Sequence, residues 1–345
     1  MRQGKGKCLL IQSNISDGSG QSAGREMVDL SVIIVSWNVA KLLRDCLQAL
    51  ASPEVSGDLC LEVVVIDNAS SDDSARVAAS FDGVKVLRSK QNLGYGRANN
   101  LGFRRARGKY LLVLNPDTVL RPGSLKTLLA FAERHPQAGM VAPRLLNPDG
   151  TVQISAFHYP TLLMALLDLF PLPPGIPGRV RAWLQQSSLN GRYANEAHAQ
   201  HPFRIDNPLG AAMLLRREAV GQVGGFDECI FMYSEEVDLA IRLSESGWEC
   251  WQVPAASVVH LGGQSTGQMP DRMFVELWRS RLYLYRKHRG PLSNSALRTL
   301  LAASQLLELA RTLVRSLWDR QTENELRARR KRARTVLRLA LGYRL

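Results

Sequence analysis

Cysteine is scarce in this 345-residue chain. The five residues, Cys8, Cys46, Cys60, Cys229 and Cys250, are odd in number and never form a CxxC pair. That argues against a disulfide framework or a zinc ribbon and suits a reducing compartment. Long apolar runs are also missing: no stretch reaches the roughly 18 uninterrupted apolar residues that cross a bilayer. The early patch Cys8–Ile11 is too short for a signal-peptide core. No internal repeat is present. Acidic residues are few towards the C-terminus, where four Asp and Glu from Arg279 onward face seventeen Lys and Arg. That segment accounts for the whole formal charge of +13, and the rest of the chain is balanced. A basic tail on a neutral body points to an anionic surface beside the active domain, not to a polyanion in its cleft. The tail's basic run has no interleaved aromatics, so no nucleic-acid partner is expected.

With 45 % hydrophobic residues, a sizeable core is available and global disorder is excluded. The most informative stretch is KYLLVLNPDTVL, where an apolar strand, Leu111 to Leu114, ends abruptly in Asn115-Pro116-Asp117. A strand buried on both faces that delivers a carboxylate at its C-terminal end places it in the crevice where open α/β sheets bind ligands. Two upstream strands end the same way. SVIIVSWN (Ser31–Asn38) closes in polar residues, and LEVVVIDNASSDDS (Leu61–Ser74) closes in Asp67-Asn68 and a cap-rich turn. Helical stretches at Ala40–Ala51 and Asp73–Ser80, a strand at Val84–Leu87 and a helix at Gly123–His135 complete an alternation that implies a largely parallel sheet.

Beyond this the pattern changes. Pro160–Gly178, PTLLMALLDLFPLPPGIPG, reads as an irregular excursion, either an anchored surface loop or an interfacial membrane contact. Gly210–Val220 and Gly224–Gly247 resume regular structure, with Ser234 a natural N-cap; the strand Glu249–Val253 and a turn to His260 follow. Ala296–Trp318 is an amphipathic helix whose polar stripe is Gln305, Glu308, Thr312 and Arg315, with leucines over most of the rest. Residues 1–28 are expected to form a disordered leader with Met27 an alternative start, 29–265 the catalytic domain, and 266–345 a helical, basic, amphipathic extension.

Several residues invite chemistry. Asp67 either meets a pyrimidine imide or ribose hydroxyl, or caps the helix that follows. Asn92-Leu93-Gly94-Tyr95-Gly96, then Ala98-Asn99, allows close backbone approach to a ligand. Asp117 could hold a divalent cation bridging a diphosphate, which needs only one or two protein ligands. His260, displayed before a Gly-Gly turn, could be the second ligand or a strand-end histidine bonded to backbone. Glu235, Glu236 and Asp238 crowd one helical first turn; they either complement the helix dipole or supply a general base for an acceptor hydroxyl.

The ordered set SVIIVSWN, VVVIDNASSDDS, NLGYGRANN, LLVLNPD, GGFDE, FMYSEEVDLAIRL and VVHLGG resembles the family 2 glycosyltransferases of bacterial surface-polysaccharide synthesis, most of all their rhamnosyltransferase-type branch. The likeness runs from about Asp29 to Gly263 and more weakly through Arg279–Pro291. It implies a GT-A fold, an α/β Rossmann-like nucleotide-diphospho-sugar transferase, with Mg²⁺ or Mn²⁺ and inversion at the anomeric carbon. The donor it implies is dTDP- or UDP-linked, and the acceptor polyprenyl-linked or glycan. It further implies that Ser36, Asn38, Asp67, Asn92, Gly94, Asn99 and Asn115 bind the nucleotide-sugar. Asp117 and His260 then form the metal site, and Glu236 is the base, with Glu235 and Asp238 its alternatives. The sequence departs from the commonest pattern at Asn115 and Glu236, where Asp is usual. Together with the basic tail, it implies an enzyme peripheral at the inner face of the plasma membrane, and leaves a homo-oligomer open. A non-catalytic nucleotide-sugar-binding protein is the rival reading.

Overall fold

The computed structural model describes residues 28–170, 175–193, 196–318 and 323–343, so the expected leader falls almost wholly outside the described residues. Its strands are β1 (Leu30–Ser36), β2 (Leu61–Asp67), β3 (Val84–Arg88), β4 (Tyr110–Leu114), β5 (Thr118–Leu120) and β6 (Ala138–Leu146). Then come β7 (Val152–Gln153), β8 (Ala156–Phe157), β9 (Phe203–Arg204), β10 (Asn207–Pro208), β11 (Ala212–Arg216) and β12 (Glu249–His260). The helices are α1 (Ala40–Ala51), α2 (Pro53–Ser56), α3 (Ser74–Ala79), α4 (Tyr95–Arg105), α5 (Ser124–Arg134) and α6 (Leu162–Leu169). They continue with α7 (Gly178–Gln186), α8 (Arg217–Val223), α9 (Glu235–Glu245), α10 (Pro270–His288), α11 (Gly290–Trp318) and α12 (Glu323–Ala340).

Two compact units result. One comprises Met1–Phe157, Asn195–Cys229 and Glu236–Ser265; the other His158–Ala194, Ile230–Glu235 and Thr266–Leu345. The first is built on a sheet of order β3-β2-β1-β4-β11-β6-β12-β5, with β7 beside β6 and β9 beside β12. Its parallel part is β3-β2-β1-β4. Strand β11 then runs antiparallel to both β4 and β6, while β12 is parallel to β6 and antiparallel to β5. The sheet is therefore mixed. Strands β1 and β4 are almost continuously apolar because both of their faces are covered. Helix α4 lies so close to the sheet that a Cβ on Gly102 would stand 2.4 Å from Ile33 Cγ2.

Buried polar groups pin the ends of these elements. At the N-terminal end of the parallel strands, Glu62 accepts from Ser31 Oγ at 2.6 Å, Lys85 Nζ at 2.5 Å and the Arg107 N–H at 2.8 Å. Burial works to raise this carboxyl, but those donors win and hold it down at about 2. At the opposite end, Asp72 accepts from the Ala40 N–H at 2.9 Å and the Ser74 N–H at 3.0 Å, so one carboxylate serves the starts of both α1 and α3.

The second unit is helical. Trp278, Leu282, Tyr285, Leu297, Leu301, Val336 and Leu339 form its core, and α6 contributes Ala165. The Leu-rich segment after Pro160 is thus not irregular: Thr161 caps it, accepting from the Met164 N–H at 3.3 Å, and eight residues follow as helix. Residues 171–174 lie outside the described residues.

Helix α11 has an inverted surface. Of its polar stripe, Gln305 and Thr312 are only 6 % and 1 % exposed, whereas Leu306, Leu313 and Val314 are 55 %, 52 % and 57 % exposed. The inward polar groups are satisfied: Thr312 Oγ1 donates to the Leu309 carbonyl, and Glu308 pairs with Arg329 of α12 at 2.6 Å. Each outward leucine, being about half exposed, forgoes roughly 1 kcal/mol of burial.

Candidate active site

The C-terminal ends of β1, β2 and β4 lie side by side, because the ladders pair Ser36 with Asp67 and Ile34 with Leu114. Each end carries a buried oxygen with no hydrogen-bond partner among the described residues: Ser36 Oγ, Asp67 Oδ1 and Asn115 Oδ1. Arg88, opposite Asp67 on β3, holds its guanidinium 3.9 Å from the other carboxylate oxygen. Asn99 on α4 donates to the Tyr95 carbonyl at 3.0 Å and leaves its buried Oδ1 without a partner as well. Unpaired buried acceptors are costly, and their convergence at strand ends marks a ligand-binding crevice.

Other residues expected to touch the ligand also make hydrogen bonds within the fold. Asn38 sits in the left-handed region at φ 53°, and its Oδ1 accepts from the Ser71 N–H at 2.7 Å. Asn92 Oδ1 accepts from the Gly94 N–H and from Asn68 Nδ2, both at 3.0 Å. Asn68 is the centre of this arrangement, since its own Oδ1 receives the Leu93 N–H at 2.8 Å. Its partners Asn92 and Leu93, 24 and 25 residues further on, are invisible in the local sequence. Gly94, at φ 80°, then starts α4 in a conformation that suits glycine.

Asp117 and His260 are brought together by the antiparallel pairing of β5 with β12, which sets His260 against Thr118. The Leu261 N–H donates to the Asp117 carbonyl at 3.0 Å. Both side chains are nearly buried, with Nε2 and Oδ1 3.5 Å apart. Gln153 completes the arrangement, and no periodic pattern in the sequence had singled it out. Its amide donates to Asn147 Oδ1 at 3.1 Å and to the His260 carbonyl at 3.5 Å, so its Oε1 receives His260 Nδ1–H at 2.7 Å. With Nδ1 engaged by Gln153, Nε2 faces the Asp117 carboxylate across a gap too long for a good hydrogen bond. Two such donors fit a divalent cation that takes its remaining ligands from phosphate and water. No group of three or more His, Cys, Asp or Glu suited to a metal occurs among the described residues.

The acid cluster separates by environment. Two non-glycine residues, Tyr233 and Ser234, precede it with left-handed backbones at φ 66° and 67°. Ser234 therefore lacks the extended backbone of an ordinary N-cap. Asp238 is fully buried and bound to Arg242 at 2.7 Å, whose guanidinium also donates to the Val223 and Gly225 carbonyls. This pairing ties α9 to the Gly224-Gly225 turn. Glu235 is buried. Glu236 lies against Gly210, where a Cβ would meet its side chain at 3.8 Å. Burial pushes the Glu236 carboxyl up to about 7. The Gly210 carbonyl accepts from Tyr95 Oη at 2.6 Å, and the next carbonyl, of Ala211, accepts from the Asn115 N–H at 2.8 Å. The turn beneath Glu236 is thus tied to the strand end of β4.

Residues 31–182 match the family model described as Glycosyl transferase family 2. An N-acetylglucosaminyl-diphospho-decaprenol L-rhamnosyltransferase of Mycobacterium tuberculosis is 32 % identical over 274 residues, covering 76 % of this chain and 85 % of that protein. The chain belongs to glycosyltransferase family 2. Within the family it falls in the rhamnosyltransferase-like branch: Rhamnosyltransferase WbbL of Escherichia coli K12 is 25 % identical over 66 % of this chain and 82 % of its own length. Its fold is GT-A with added C-terminal helices. Among solved structures, mannosyltransferase PcManGT from Pyrobaculum calidifontis, in complex with GDP-Man and Mn²⁺, aligns with a TM-score of 0.52 at 16 % identity, over 92 % of this chain and 87 % of that one.

Proposed function

We propose that this glycosyltransferase moves a sugar, rhamnose on the likeness of its relatives, from a dTDP- or UDP-linked donor to a hydroxyl of a polyprenyl-linked or glycan acceptor. The observation that carries the donor assignment is the row of unpaired buried acceptors at Ser36, Asp67 and Asn115. Three acceptors in a crevice suit a base imide and ribose hydroxyls, which are donors. Asp117 and His260 would hold Mg²⁺ or Mn²⁺ against the diphosphate. When bound, the cation supplies charge neutralisation for the departing diphosphate.

Glu236 is the base in this reading. A carboxyl raised to about 7 is half ionised near neutrality, so it can take a proton efficiently from an acceptor hydroxyl. As the proton moves to Glu236, the acceptor oxygen bonds to the anomeric carbon from the face opposite the diphosphate. The bond from that carbon to the diphosphate oxygen breaks, and configuration inverts. Gly210, tied down through Tyr95, keeps the floor beneath Glu236 free of side chain. The named M. tuberculosis relative acts on a decaprenol-linked substrate, which supports a lipid-linked acceptor here and a place at the inner face of the plasma membrane. No described helix is long and apolar enough to cross a membrane.

The donor assignment is tested by thermal stabilisation. A dTDP- or UDP-sugar with Mn²⁺ is expected to raise the melting temperature of the wild type and not of Asp67→Ala. Equal stabilisation of both would remove Asp67 from the site.

A further inference from the structure

We propose that the outward face of α11, together with the cationic stripe of α12, is a docking surface for anionic phospholipid; this names the partner for the membrane location given above. On α11, Leu306, Leu307, Leu313 and Val314 are all exposed, at spacings of one, seven and eight residues that keep them on one side of the helix. The polar residues that would ordinarily meet water face inward instead, with Gln305 and Thr312 buried. Arg311 and Arg315, both exposed, accompany the apolar face on the same helix.

Helix α12 sorts its own cations. Arg329 and Arg332 reach carboxylates within the helical unit, Glu308 and Asp271. Arg327, Arg330, Lys331, Arg334 and Arg338 line an open groove of about 410 Å³. Arg327 and Arg330 share the single carboxylate of Glu323, and Lys331, Arg334 and Arg338 have no acidic partner among the described residues.

Charge chooses the occupant. A second copy docked through a two-fold axis would gather two sets of Arg311 and Arg315 into one interface, where like charges oppose docking. Nucleic acid would use the cations and leave the leucines in water. An anionic bilayer uses both: headgroups take the guanidinium groups, and the acyl boundary takes the leucines.

The test is co-sedimentation of the full chain with phosphatidylcholine vesicles and with vesicles carrying about one-third phosphatidylglycerol, at low and high salt. The wild type is expected to bind the anionic vesicles at least roughly tenfold better at low salt, with the preference shrinking at high salt. Leu306→Gln/Leu313→Gln/Val314→Gln and Lys331→Ser/Arg334→Ser/Arg338→Ser should each lose most of that binding. Both should keep the wild-type melting temperature and turnover on a detergent-dispersed acceptor. Unchanged vesicle binding by either variant would overturn the proposal. So would a wild-type dimer that the leucine variant dissociates, or binding to a DNA duplex that matches vesicle binding. Loss of turnover by the wild type on every lipid-linked acceptor would instead remove the acceptor assignment, leaving the vesicle result to stand on its own.

Discussion

His260 Nε2 stands 3.5 Å from Asp117 Oδ1, and Gln153 Oε1 takes the proton-bearing nitrogen on the other side of the ring at 2.7 Å. The pair is shaped by three segments that meet through strand pairing: Asp117 before β5, His260 at the end of β12, and Gln153 on β7. The amide acts as an acceptor because its own N–H groups are already spent on Asn147 and the His260 carbonyl.

Asp117→Ala is expected to abolish Mn²⁺ binding, measured by electron paramagnetic resonance in the presence of nucleotide, and transfer with it. Gln153→Leu should weaken the metal by roughly 10–100-fold, the usual effect of removing a partner that orients a ligand. Full activity of Asp117→Ala in excess chelator would count against the site.

The pH dependence of rate should follow Glu236. Its carboxyl lies near 7, so kcat is expected to rise between about pH 6 and 8 and then level. Stability should run the other way. A carboxyl raised above its ordinary 4.5 binds its proton more tightly in the folded chain. That contribution is full below about 4.5 and lost as pH rises through about 7. Glu236→Gln should therefore be more stable than the wild type at pH 8, by about 1–3 kcal/mol, and equal to it near pH 4. Chemical denaturation at the two pH values measures this.

Asp238→Asn should behave differently. Its partner Arg242 would lose a charged acceptor, at a cost of about 2 kcal/mol, and the melting temperature should drop. Donor affinity should survive. A variant of wild-type stability with kcat reduced a hundredfold would return Asp238 to the role of base.

Glu62→Gln tests the opposite end of the sheet. Its carboxylate is held at about 2, so its contribution is present above about 4.5 and lost as pH falls towards 2. The Gln variant should lose about 1–3 kcal/mol at neutral pH, and the difference from wild type should vanish in acid.

The strand tips were legible because a β-branched run that stops in polar residues has few other solutions: Ser36, Asp67 and Asn115 all stand at strand ends. Helix α1 was equally legible, with the expected limits Ala40–Ala51. Strand β6 was not, since Pro143 within it and the preceding helix obscure its pattern. Strand β12 runs on past Val253 through a register shift, where Pro254 had signalled a stop. The bond between Asn38 and Ser71 could not be read from local sequence because the two lie 33 residues apart. The same distance problem hid Gln153, 107 residues from His260. Helix α11 shows a further limit: periodicity identified two faces, but which one turns inward depends on packing and the half-buried Glu308–Arg329 pairing with α12.

The central claim is that Glu236 deprotonates the acceptor. Steady-state transfer by Glu236→Gln, with donor affinity measured in parallel, tests it most directly. The account predicts a loss in kcat of at least roughly a hundredfold with donor Kd unchanged. Turnover within a few-fold of wild type, or a crippled Glu235→Gln beside an active Glu236→Gln, would contradict it.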